Sequence, residues 1–133
     1  MPYNDEAYSA DDVTNKLMEA HTELVKRSNL QRAVGFSCDA LGMIEKLSGK
    51  PVTDQEEALK ELGTPGGDYR KSIIGSHLGR AIRRLGRREW QLAGISIWTA
   101  IVLMQRLAID KGQEVNLPII IKRKAGATCT TQN

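Results

Sequence analysis

Sixteen consecutive residues, 90–105, carry no charge, and this run constrains the fold more than any other feature of the chain. Wound as a helix at about 100° per residue, Trp90, Leu92, Ile95, Ile97, Trp98, Ile101, Val102, Leu103, Met104 and Leu107 point to nearly every side. A helix that is apolar all round has to be surrounded. A bilayer span takes about 20 predominantly apolar residues, and Gln91, Ser96, Thr99 and Gln105 interrupt this run, so no membrane is expected. What remains is a central place in a helical bundle or a place at a subunit interface. The chain has 133 residues, enough for one domain but for few helices to encircle another. A homo-oligomer, in its simplest form a symmetric dimer, is therefore expected. Trp90, Ile97, Trp98, Ile101 and Met104 are its expected core or oligomer residues. The two tryptophans read as packing anchors, because a base-stacking platform normally displays exposed aromatics on a sheet.

Nearly every boundary signal elsewhere is a helix signal, which makes the fold class all-α, a bundle of four to five helices. Ser9 followed by Asp11 and Asp12 gives an N-cap with first-turn acids. Val13, Leu17, Ala20 and Leu24 then keep a spacing of three or four, predicting a helix over 10–27. Ser28 and Gln31 stand in capping-box relation and open a helix over 29–47, closed by Gly49 and Pro51. Thr53 and Glu56 repeat the capping signal for a short acidic helix over 54–62. A Gly/Pro-rich loop at 63–67 follows, and Asp68 can cap a helix over 69–85 with Gly86 as its stop. The last helix covers 87–110 and ends at Gly112. Beyond it, β-branched residues after Pro118 predict an extended basic segment over 115–124, and 125–133 reads as a flexible tail.

The formal charge of +3 hides a division. Residues 1–68 carry 7 Lys/Arg against 13 Asp/Glu, a net of −6, whereas residues 69–133 carry 12 against 3, a net of +9. Such asymmetry points to an anionic partner, or to one half answering the other. On the helix from residue 69, Ile74, Leu78, Ala81, Ile82 and Leu85 share one stripe. Arg80, Arg83 and Arg84 fall opposite, with His77 at their edge, and Arg87 and Arg88 follow at once. Arginine suits phosphate because its planar fork donates paired hydrogen bonds and never loses its charge. Lys122, Arg123 and Lys124 add a basic arm of the kind that reaches a nucleic-acid backbone. Gly86 offers a turn, but the helix after it is too apolar to lie in a major groove. Contacts to phosphate with little base readout are therefore expected. An acidic protein surface docked on the same arginines, as in an inhibitor, adaptor or assembly subunit, is the alternative.

No catalytic constellation emerges, and no enzyme activity, cofactor or metal is expected. His21 and His77 lack a second ligand at a reliable metal spacing. Glu19 and Glu23, like Glu57 and Glu61, are four apart, which in this setting reads as solvated charge. Gly75 and Gly79 form a small-xxx-small groove suited to close helix approach. Cys38 and Cys129 form no framework, so a reducing, cytoplasmic setting is expected, with Cys38 as a small core residue. The acidic start of the chain has no apolar run, and no secretory signal is expected.

Overall fold

The computed structural model of the chain describes residues 9–50, 52 and 70–115. Within them lie four helices: α1 (Ala10–Val25), α2 (Leu30–Ser48), α3 (Lys71–Gly86) and α4 (Trp90–Asp110). The expected helix over 54–62, the basic segment beyond residue 115 and the tail over 125–133 lie outside the described residues.

The starts of α1 and α2 and the end of α2 have local reasons. Ser9 and Asp12 make a reciprocal capping box: Ser9 Oγ accepts from the Asp12 N–H at 3.2 Å, and Asp12 Oδ2 accepts from the Ser9 N–H at 3.0 Å. The break after α1 falls where expected, but its chemistry differs. Ser28 takes the left-handed conformation at φ 52, and Asn29 is the cap of α2, its Oδ1 accepting from the Arg32 N–H at 3.1 Å. The adjoining Ser and Asn are both good caps, and only one can occupy the extended cap position. Gly49, at φ 72, ends α2 in the left-handed conformation that glycine adopts without steric cost.

Two helical hairpins, α1–α2 and α3–α4, pack side by side, with α4 against α2 and α3 against α1. The C-terminal end of α2 meets the N-terminal end of α4, where Ser48 and Lys50 line a cleft with Glu89–Leu92. At the other end, Lys71 Nζ at the start of α3 donates to Ser28 Oγ after α1. Neighbouring helices are thus antiparallel, whereas α2 and α3 run in the same direction and cannot be joined by a tight hairpin.

The core answers the question raised by the apolar helix. Thirteen of the 21 residues of α4 are buried, among them Ile97, Trp98, Ile101 and Met104, and every residue from Ala93 to Ile101 is enclosed. Helices α2 and α3 cover two flanks, and Val52 closes on Gly94. Val52 is itself fixed there, because its N–H donates to Glu45 Oε2 at 2.7 Å. One chain thus buries most of this helix, while Leu92 and Ile109 stay exposed at 43% and 75%. By length and composition α4 would also cross a membrane, with a mean hydropathy of 1.7, but 72% of that window is buried within the chain. Trp90 is the exception among the five residues: it is half-buried, packed against the core at its edge.

Candidate nucleic-acid interface

The arginine cluster sits where α3 turns into α4, and its shape follows from how α3 ends. The Glu89 N–H donates to the Arg84 carbonyl at 2.9 Å and the Arg88 N–H to the Leu85 carbonyl at 3.0 Å. This is a Schellman motif with Arg88 in the left-handed position, at φ 59. The same motif closes α4: Gln113 donates to Ala108 and Gly112 to Ile109, and there the left-handed residue is Gly112 at φ 70. Gly86, expected to be the stop of α3, is instead its last helical residue. Arg87 and Arg88, expected in the first turn of the next helix, lie in the three-residue corner before Trp90.

This corner separates the five arginines by role. Arg83, Arg87 and Arg88 are exposed, and none of them makes an ion pair with a described residue. Arg83 lies back along α3, its Nη1 3.7 Å from where a Cβ on Gly79 would stand. Arg84 is half-buried and spent inside the hairpin, its Nη1 donating to the Leu92 carbonyl at 2.9 Å and to Ser96 Oγ at 2.7 Å. Arg80 is half-buried and has a partner of its own. His77 is only 6% exposed and belongs with the buried side of α3, not with the outer edge of the arginine face where the sequence put it. Lys122, Arg123 and Lys124 lie outside the described residues.

Two described acids of the first half, Glu19 and Glu23, are answered within the α1–α2 hairpin. Glu23, expected to be solvated, is buried, and its Oε2 takes Arg27 at 3.0 Å and Arg32 at 3.4 Å. Glu19 pairs with Lys16 at 3.8 Å. Asp11 and Asp12 share the end of the bundle with the arginine corner, but form no ion pair with Arg83, Arg87 or Arg88. Lys50 joins the basic groups at that end, across the cleft from Glu89.

Catalytic chemistry finds little here. Burial pushes the Cys38 thiol up to about 12, with Asp39 adding to the effect, so it stays protonated and behaves as the core residue its position suggested. Among the described residues no three His, Cys, Asp or Glu side chains gather as a metal site. Of the expected small-residue groove, Gly75 carries the helix contact: His21 of α1 comes within 3.0 Å of its missing Cβ, while Gly79 meets only Arg83.

Fold and site together define a four-helix bundle with an exposed cationic corner. No protein-family model matches the chain, and no curated protein or solved structure matches it either.

Proposed function

We propose that the chain is a non-enzymatic protein that binds the phosphate backbone of nucleic acid, with little dependence on sequence, through the corner formed by Arg83, Arg87 and Arg88. One observation carries this reading: three exposed guanidinium groups stand within six residues, paired to no carboxylate among the described residues, while Glu19 and Glu23 of α1 are engaged by cations of their own hairpin. Three like charges held close together at the surface repel one another, and a polyanion turns that repulsion into attraction. The planar donors match phosphate oxygens. Base readout has no obvious instrument, because α4 is buried and offers no polar face to a groove.

The test is binding of the full chain to random-sequence DNA and RNA by fluorescence anisotropy, across a range of salt. Affinity that falls steeply with salt and weakens when Arg83, Arg87 and Arg88 are replaced by Gln supports the reading. Absence of binding at low salt overturns it.

A further inference from the structure

Resting on that reading, we infer that the cleft beside the arginine corner receives an unpaired base, so that this chain prefers single-stranded to duplex nucleic acid. The cleft measures about 390 Å³ and lies between the end of α2 and the start of α4, lined by Ser48, Lys50, Glu89, Trp90, Gln91 and Leu92. Its position is set by the corner itself. The Schellman turn that places Arg87 and Arg88 at the surface delivers the chain directly into Trp90, two residues after Arg88.

Trp90 differs from the other tryptophan. Trp98 is 4% exposed and wholly inside the core, whereas Trp90 packs on the core at its edge and also lines the cleft. Leu92 beside it is 43% exposed. An indole and a leucine lining an open cleft favour a flat apolar occupant. Cations flank them, Lys50 within the cleft and Arg87 and Arg88 just before it in sequence. Single-strand binding combines a ring on which a base stacks with cations that follow the backbone. A duplex keeps its bases stacked inside and has none to offer. Because Glu89 repels phosphate, the backbone is left on the arginine side.

The experiment uses the full chain at one fixed low salt concentration and three labelled probes of equal length: oligo-dT, an abasic strand with the same phosphates, and a duplex. The expected result is oligo-dT bound at least about fivefold more tightly than the abasic strand. Trp90→Leu should remove that preference while leaving affinity for the abasic strand and duplex unchanged. Equal affinity of the wild type for oligo-dT and the abasic strand overturns the inference but leaves the phosphate reading intact, and this comparison needs no variant to fold. Failure to bind all three overturns both.

Discussion

Two helical glycines show how much a single hydrogen atom decides. A Cβ built on Gly94 would stand 2.6 Å from Val52 Cγ2 and 2.9 Å from its Cγ1, and Val52 is fully buried and held by its backbone. At Gly79 the nearest group is the movable end of Arg83, at 3.7 Å. Alanine normally gains about 1 kcal/mol over glycine inside a helix, and overpacking costs about 1–3 kcal/mol. Gly79→Ala should therefore stabilise the chain by about 0.5–1 kcal/mol, and Gly94→Ala should destabilise it by about 1–2 kcal/mol, both read from urea denaturation midpoints. Cys38 gives a second prediction at this scale. Its folded pKa lies above its unfolded one, so the native thiol keeps its proton while the unfolded chain releases it. The contribution is complete below pH 9.0 and is lost as pH rises toward about 12. Its limiting slope is about 1.4 kcal/mol per pH unit. Against Cys38→Ala, which lacks this dependence, the wild type should lose stability faster across that window.

At the scale of elements, the α3–α4 hairpin joins stability to charge display. Arg84 ties the two helices through Leu92 and Ser96, the latter fully buried. Arg84→Ala should cost about 1–3 kcal/mol, because it leaves the buried Ser96 hydroxyl short of a donor, yet leave the salt dependence of binding nearly unchanged. Arg88→Gly should do the reverse. It relieves a left-handed residue, raising stability by about 0.5–1 kcal/mol, and removes one phosphate contact. Thermal unfolding and a salt titration of each variant separate the two effects. The sequence conveyed the existence of these helices through spacing and caps, and it located the α1–α2 break to within two residues. It misplaced the corner because Gly86 carries the usual stop signal while the left-handed residue is Arg88, an assignment fixed only by which carbonyls the turn reaches. His77 was misjudged by the same kind of gap. Wheel position places a residue near the edge of a stripe, and only the approach of neighbouring helices decides whether that edge is covered.

For the whole molecule, the apolar helix and the divided charge turn out to be separate matters. Helix α4 is mostly buried by α2, α3 and Val52 within one chain, so the apolar run serves a core. Glu19 and Glu23 of α1 are engaged within the α1–α2 hairpin, while Arg83, Arg87 and Arg88 are exposed and form no ion pair with a described residue; the acids between residues 54 and 68 lie outside the described residues. That arrangement was beyond a linear reading, because ion pairing depends on which helices become neighbours. In the proposed function these three arginines release counterions from a nucleic-acid backbone. The measurement closest to it is the slope of log affinity against log salt for a random duplex, with wild type and the triple Arg83, Arg87, Arg88→Gln variant. Three phosphate contacts contribute about −2.7 to that slope, so the variant's slope should be shallower by about that amount. A wild-type affinity indifferent to salt, or a triple variant with an unchanged slope, contradicts the account.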